Sequence, residues 1–137
     1  MKSESANFLA IADRDLADAR GNLGINIPHQ AARLAYYAQF HAAQALIFER
    51  TGRISKSHKG VNKEFHRLVK TDPTFPPRFA AQLTKAYDYK DIADYDTGTA
   101  TSITPIRARH AIATAENFVA VIRQALSPPP PSAAPAP

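Results

Sequence analysis

Cysteine and tryptophan are both absent from the 137 residues. Without a thiol the chain can form no disulfide, no cysteine-ligated zinc or iron–sulfur site, and no thiol nucleophile. Long apolar runs are also missing, since no segment reaches the roughly 18 apolar residues that a membrane span requires. The first residues lack the basic start and apolar stretch of a secretory signal. We therefore expect a cytoplasmic protein without a membrane partner.

Glycine is scarce as well. With only 5 glycines, and with 11 prolines confined to junctions and the C-terminal end, long stretches contain no helix breaker. Apolar residues recur at helical spacing in five of these stretches. The predicted helices cover residues 5–20, 28–50, 57–70, 76–94 and 105–126. Together they predict an all-α protein, an up-and-down antiparallel bundle of about five helices with short links.

The composition changes near residue 126. Residues 1–126 are enough for a single domain with one core. Six of the 11 prolines lie in the last ten residues, and such a segment buries too little apolar surface to offset the entropy of ordering it. We therefore predict a disordered or polyproline II tail over residues 127–137.

The predicted second helix is apolar or small nearly all round between residues 34 and 48. A helix of this kind lies at the centre of a bundle or is shared with a partner chain. His41 falls within this stretch, where a histidine is more often a hydrogen-bonded core residue than a ligand or a base. The sequence alone leaves both placements of the helix open.

Charge is unevenly distributed along the chain. The 17 Lys and Arg residues outnumber the 12 Asp and Glu residues, for a formal net charge of +5. Four basic residues of the predicted third helix fall on one face, namely Lys59, Lys63, Arg67 and Lys70. Like charges at this spacing repel one another in an isolated helix, and a phosphate backbone would relieve the repulsion. The alternative is an ordinary solvated face.

The end of the predicted fourth helix is strongly acidic. Four carboxylates and three tyrosines lie within residues 87–96, where negative charge opposes the helix macrodipole. A local rule broken without local gain points to function. Three interpretations remain open: a capping and loop-anchoring cluster, an acidic groove, or a divalent-metal site of Asp88, Asp91 and Asp94. The metal site is the least favoured, because no histidine or further carboxylate lies nearby at a suitable spacing.

Three segments, in this order, carry a resemblance to a known family. They are the run RLAYYAQFHAAQAL from Arg33 to Leu46, the run SHKGV from Ser57 to Val61 followed by Phe65, and Ala93-Asp94-Tyr95. On a five-helix pattern they resemble small bacterial HEPN-domain proteins, over roughly residues 5–126. The chain looks like the stand-alone HEPN proteins often found beside a minimal nucleotidyltransferase as a toxin–antitoxin pair.

The resemblance implies a homodimer with a site where the fourth helices of two chains meet. Many such proteins are metal-independent ribonucleases with the signature Arg, four to six residues, then His, in which the His moves a proton and the Arg holds the scissile phosphate. Here Lys90 stands at the Arg position and Tyr95 at the His position. The residues from Arg53 to His58 match the signature of Arg, four residues, then His. They lie between the second and third helices, and we interpret this match as chance.

The leading hypothesis is a HEPN-type homodimer that binds RNA or a nucleotide in a toxin–antitoxin or defence module. His58 and the basic face of the third helix would follow phosphate, and Lys90, Asp94 and Tyr95 are the candidate catalytic residues. In a ribonuclease, Lys90 would hold phosphate while Tyr95 or His58 transfers the proton, without a metal ion or cofactor. A partner nucleotidyltransferase could instead modify Tyr95. The alternative is a non-catalytic module whose second helix forms a dimer or docks a partner.

Overall fold

The computed structural model describes residues 1–95 and 102–127, and this part of the chain forms five α-helices. The helices are α1 (Ser3–Gly24), α2 (Pro28–Thr51), α3 (His58–Lys70), α4 (Phe79–Asp94) and α5 (Pro105–Leu126). No strand occurs within these residues. The connection between α1 and α2 has only three residues, and α1, α2 and α3 each pack against the next helix in the chain. The prediction of an all-α bundle is confirmed.

Helix α2 lies at the centre of the bundle. It packs against each of the other four helices, and thirteen of its residues are buried. Seven alanines of α2 are at most 2% exposed, among them Ala38 and Ala42, so the neighbouring backbones approach closely. The apolar character of α2 is therefore explained by packing within one chain, which was one of the two placements that the sequence left open.

Proline and glycine mark several helix ends as the sequence predicts. Pro28 and Pro105 occupy the first turns of α2 and α5, where a missing N–H costs no hydrogen bond. Gly52 ends α2 with φ 70°, a left-handed conformation that glycine adopts without strain. The Ser57 hydroxyl accepts a hydrogen bond from the Gly60 N–H at 2.9 Å and so caps α3.

Two predicted boundaries are wrong. Helix α1 continues past the predicted stop at Arg20 as far as Gly24, because Leu23 packs against the core and holds the last turn in place. The chain reverses at Asn26, which has φ 62°. Helix α4 begins at Phe79 rather than at the two prolines, since these residues form a separate turn in which the Phe79 N–H donates to the Pro76 carbonyl at 2.9 Å.

One hydrogen bond and one group of aromatic rings stabilise the interior. His41 Nδ1 of α2 lies 2.5 Å from Asp15 Oδ2 of α1, so this histidine is held by a hydrogen bond at the edge of the core. Phe65, Phe79 and Phe118, from three different helices, pack against one another with ring centroids 4.5 to 5.6 Å apart, and the rings of Phe79 and Phe118 are stacked. The aromatic stack fixes α3, α4 and α5 relative to one another.

None of the helices in the described ranges combines the length and the apolar character that crossing a membrane demands. The predicted tail, apart from Ser127, lies outside the described residues, and so does Asp96 of the acidic segment.

Candidate functional site

The last two turns of α4 bring together two cations and one carboxylate. Lys90 and Asp94 are one helical turn apart, and Lys90 Nζ lies 2.6 Å from Asp94 Oδ2. Arg33 reaches across from α2, and its Nε lies 3.1 Å from Asp94 Oδ1. Two positive groups therefore share a single negative one. We call these three residues, Arg33, Lys90 and Asp94, the cationic cluster.

Aromatic rings line the cationic cluster. Lys90 Nζ lies 5.5 Å from the centre of the Tyr87 ring, and the guanidinium carbon of Arg33 lies 5.4 Å from the centre of the Tyr37 ring. Cations in these positions are attracted by the negative face of the ring. The Lys90 side chain is only 12% exposed, so its charge is poorly solvated and acts strongly on nearby anions. The hydrogen bond to Asp94 raises the pKa of Lys90, against the opposing effect of burial, and keeps it charged.

His58 belongs to the same region, although it begins α3. Its ring centroid lies 5.0 to 6.0 Å from four aromatic rings, those of Tyr36, Tyr37, Phe40 and Tyr87. Tyr87 thus contacts both His58 and Lys90 and joins the histidine to the cationic cluster. The cap of α3 is provided by Ser57, so His58 is not needed for it.

Burial, followed by the charge of Lys90, lowers the pKa of His58, and the carboxylates of Asp91 and Asp94 oppose this effect in part. The imidazole is therefore neutral at pH 7. Its Nδ1 lies 2.6 Å from the hydroxyl of Tyr36. Burial raises the pKa of Tyr36, with further contributions from Tyr37 and Tyr87, so this hydroxyl keeps its proton. The hydrogen bond fixes the orientation of the His58 ring.

A small cavity of about 150 Å³ opens beside His58 between α3 and α4. His58, Lys59 and Tyr87 are among the residues that line it. On its wall, the hydroxyl of Thr84 donates to Asn62 Oδ1 at 2.9 Å and ties α4 to α3. The cavity therefore connects the interior histidine with the first lysine of the basic face of α3.

The four residues of that basic face are all exposed, at the positions that the sequence predicts. They are not equivalent, because Arg67 donates to Glu64 at 2.5 Å and is partly neutralised. This pair also lowers the pKa of Glu64. Lys59, Lys63 and Lys70 form no ion pair with another described residue. The basic face thus presents three free lysines and one paired arginine to solvent.

The candidate catalytic residues are separated by the structure. Lys90 and Asp94 are paired, whereas Tyr95 is 79% exposed just beyond the end of α4 and contacts neither of them through its ring. Arg53 is exposed and is not among the residues around His58. The structure thus joins Lys90 and Asp94 to His58 rather than to Tyr95.

The acidic residues do not gather into a metal site in residues 1–95 and 102–127. Within these ranges, no three His, Asp or Glu side chains come close enough together to hold a metal ion. Asp94 is instead committed to Lys90 and Arg33. These two cations also explain how a carboxylate is tolerated at the C-terminus of α4, where the macrodipole disfavours it.

Four residues of the site were not identified as functional from the sequence, namely Arg33, Tyr36, Tyr37 and Tyr87. Three of them lie in the segment of α2 that carries the family resemblance, and Tyr87 lies in the acidic segment at residues 87–96. Their contacts are between helices, so spacing along one helix could not predict them.

Comparisons with known proteins agree with this arrangement of helices. The model of the HEPN domain matches residues 5–125. The protein named "Putative toxin MJ0605" of Methanocaldococcus jannaschii is 30% identical over 126 residues, which are 92% of this chain and 91% of that protein. The crystal structure of TT1696 from Thermus thermophilus superposes with a TM-score of 0.74 at 20% identity, over 91% of this chain and 100% of that one, and shows the same fold. A family match that spans α1 to α5, together with a relative of nearly equal length, establishes that the chain belongs to the HEPN domain family.

Proposed function

We propose that this HEPN protein binds RNA, or a nucleotide, as a member of a toxin–antitoxin module, and that Arg33 and Lys90 hold a phosphate group. The observation that carries the proposal is the convergence of two cations, from different helices, on the one carboxylate of Asp94. The toxin–antitoxin assignment is supported by the name of the archaeal relative.

A phosphate can take the position that the Asp94 carboxylate occupies between Arg33 and Lys90. The oxygens of a phosphate can accept hydrogen bonds from both Arg33 and Lys90, and charge-assisted bonds of this type are the stronger ones. Lys90 alone is a point charge, but Arg33 supplies the planar guanidinium that the sequence lacks at the family's Arg position. Asp94 would be displaced when the phosphate enters and is free to turn towards solvent, since its side chain is 26% exposed.

The basic face of α3 provides a path for the rest of the strand. Lys59 lines the small cavity beside His58, so the face begins where the interior site ends. From there Lys63 and Lys70 continue along the exposed side of the helix. Neighbouring phosphates of a single strand would relieve the repulsion between these lysines.

Fluorescence anisotropy with a short labelled single-stranded RNA tests the proposal. We expect binding that weakens steeply between about 50 and about 200 mM salt, because bound phosphates release counterions. The double variant Lys59→Gln/Lys63→Gln should bind less tightly and show a shallower salt dependence. Arg20→Gln is the matched control, since Arg20 pairs with Glu116 on the α1–α5 side of the bundle. Equal binding by all three proteins would contradict the assignment of the basic face.

Metal-independent RNA cleavage is a second candidate function, and His58 is the observation that favours it. A neutral imidazole whose Nδ1–H donates to the Tyr36 hydroxyl has a free Nε2, which can accept a proton from a 2′-hydroxyl, and Lys90 lies near enough for its charge to act on this ring. Tyr95 is poorly suited to this step, because it lies outside the cluster and a tyrosine has an ordinary pKa of about 10.

Cleavage of single-stranded RNA should continue in the presence of a chelator and be lost in His58→Gln. The neutral form of His58 is the active one, so the cleavage rate should be constant near pH 7. The pKa of His58 is lowered, so the rate should fall only when the pH drops below about 6.5, the ordinary pKa of histidine. Tyr95→Phe should cleave normally. RNA cleavage by His58→Gln would eliminate this mechanism. Loss of cleavage in Tyr95→Phe would show that Tyr95 takes part in the proton transfer.

We also infer a homodimer that forms through the end of α4. Ile92 and Tyr95 are 45% and 79% exposed, and together they make an apolar surface next to the cationic cluster. Ile92→Asp should convert a dimer to a monomer in light scattering, with Ile25→Asp, at a more exposed site in the α1–α2 link, as the control. The alternative role of Tyr95, as the target of a partner nucleotidyltransferase, requires its hydroxyl to lie outside this interface. A monomeric parent protein would contradict the inference.

The non-catalytic module remains the competing hypothesis. Its sequence argument, the apolar α2, is explained by burial of that helix within the bundle. An apolar protein interface would respond little to salt, whereas RNA binding through the lysines of α3 must respond strongly. The absence of any RNA binding at low salt would favour the module.

A further inference from the structure

Tyr37 lies at the candidate site, but neither phosphate binding nor proton abstraction by His58 uses its hydroxyl. The ring centroids of Tyr37 and His58 are 6.0 Å apart. The neighbouring Tyr36 is 2% exposed and bonded to His58, whereas Tyr37 is partly exposed. Within residues 1–95 and 102–127 the Tyr37 hydroxyl has no hydrogen-bond partner. Its proton can therefore be given to a bound ligand without breaking a contact of the fold.

Two other side chains of α2 hold the Tyr37 ring in place. Arg33, one helical turn earlier, has its guanidinium carbon 5.4 Å from the ring centre. His41, one turn later, stacks on the ring with the centroids 6.2 Å apart and the planes at 30°. His41 is itself held by Asp15 of α1 at 2.5 Å. Tyr37 is thus positioned by neighbours with fixed orientations, as a catalytic side chain must be.

The Tyr37 hydroxyl also lies close to the ammonium group of Lys90. After the hydrogen bond and the charge of Asp94, this hydroxyl is the next group that raises the pKa of Lys90. Tyr37 therefore contacts Arg33 through its ring and approaches Lys90 through its hydroxyl. A phosphate held by these two cations would lie beside the phenol. In a transition state, their charge would stabilise negative charge that develops on the phenol oxygen.

Cleavage of RNA by its own 2′-hydroxyl needs an acid as well as a base. The base takes the proton of the attacking 2′-hydroxyl, and the acid gives a proton to the 5′-oxygen that leaves. Nε2 of a neutral His58 can accept a proton but has none to give. A phenol, by contrast, carries its proton at pH 7. The site therefore contains a base, a phosphate-binding pair of cations and a group that can act as the acid.

We propose that Tyr37 is the general acid of RNA cleavage and acts together with His58. The inference rests on the metal-independent cleavage proposed for this site. As the 2′-oxygen bonds to phosphorus, its proton passes to His58 Nε2. The bond from phosphorus to the 5′-oxygen breaks, and that oxygen keeps the electron pair and takes the proton of the Tyr37 hydroxyl. The products are a 2′,3′-cyclic phosphate and a 5′-hydroxyl end, and proton exchange with water restores both side chains.

An RNA with sulfur in place of the 5′-oxygen at the scissile bond tests this role. Its leaving group is a thiolate, which needs no proton to depart because an ordinary thiol has a pKa of about 8.5. On unmodified RNA, in the presence of a chelator, we expect Tyr37→Phe to cleave about 100-fold more slowly than the parent protein, or slower still, as is typical for loss of a general acid. On the sulfur-containing RNA the two proteins should cleave at the same rate.

Two other variants serve as controls. His58→Gln should be slow on both RNAs, because the 2′-hydroxyl must lose its proton in either case. Tyr89→Phe removes the hydroxyl of a tyrosine that lines a different cavity, between α2, α4 and α5, and should cleave both RNAs as the parent does. Phenylalanine keeps the ring that contacts Arg33 and His41. Tyr37→Phe should therefore bind RNA as tightly as the parent in anisotropy titrations.

Slow cleavage of both RNAs by Tyr37→Phe would overturn the proposal, because a better leaving group does not correct a purely structural defect. Cleavage of unmodified RNA by Tyr37→Phe at the parent rate would also overturn it and would leave the role of His58 intact. Rescue by sulfur of Lys90→Met but not of Tyr37→Phe would assign the acid to Lys90 instead. If the parent protein cleaves neither RNA, the cleavage function fails and the role of Tyr37 with it, whereas RNA binding is decided separately by anisotropy.

Discussion

Lys90→Met is expected to weaken the binding of single-stranded RNA by about ten- to hundredfold, the effect of losing a charge-assisted hydrogen bond of about 1.5–3 kcal/mol. Methionine keeps most of the apolar stem that packs on Tyr87 but removes the ammonium group. The remaining cation, Arg33, would then be the one partner of Asp94 within the cationic cluster. Anisotropy titrations at a fixed low salt concentration measure the change.

Two variants at the same site control for damage to the fold. Lys90→Arg keeps the charge and should retain most of the affinity. Asp94→Asn should act in the opposite direction and raise the affinity severalfold, because the carboxylate competes with phosphate for Arg33 and Lys90. A decrease in affinity with Asp94→Asn would show that the carboxylate organises the site rather than occupying it.

Phe118→Ala is expected to lower the free energy of unfolding by about 3–5 kcal/mol. Phe118 is fully buried on α5, and its ring lies 4.5 Å from that of Phe79 and 5.3 Å from that of Phe65. Alanine would leave a cavity between three helices, which the rigid backbones cannot close. Chemical denaturation followed by circular dichroism measures the loss.

Phe118→Leu is the matched control for this prediction. Leucine is apolar and fills much of the space, so we expect less than half of the loss seen with alanine. The slope of unfolding free energy against denaturant should be the same for both variants. A loss below about 1 kcal/mol with alanine would indicate that the aromatic stack does not hold α3, α4 and α5 together.

The helices could be predicted from the sequence because local signals determine where most of them begin and end. Pro28 and Pro105 start α2 and α5, and Gly52 ends α2. The prediction failed where packing overrides a local signal. Helix α1 continues through Gly21 because Leu23 gains more by packing against the core than the glycine costs in a helix.

The cationic cluster could be predicted only in part. Lys90 and Asp94 are a helical turn apart, so their pairing follows from spacing, and the acidic end of α4 marked the region as unusual. Arg33 could not be placed there, because it reaches Asp94 from another helix. His58 was assigned to the basic face from its neighbours in sequence, whereas its ring turns inward to four aromatic side chains.

A cavity of about 700 Å³ between α2, α4 and α5 could not be predicted from the sequence at all. Its lining residues are spread from Ala32 to Thr114, and each is ordinary within its own helix. Gln39 in particular lies in an apolar segment, where the sequence indicates a core position and nothing more. Only the packing of α4 and α5 around α2 brings these residues together.

The salt dependence of RNA binding tests the role of the cationic cluster most directly. The logarithm of the binding constant should fall linearly with the logarithm of the salt concentration, with a contribution of about 0.7 to the slope for each phosphate contacted in a single strand. For the double variant Arg33→Gln/Lys90→Met we predict a slope that is shallower by at least about 0.7, together with the loss of affinity. A slope identical to that of the parent protein would contradict the account, because it would mean that no phosphate is bound at Arg33 and Lys90.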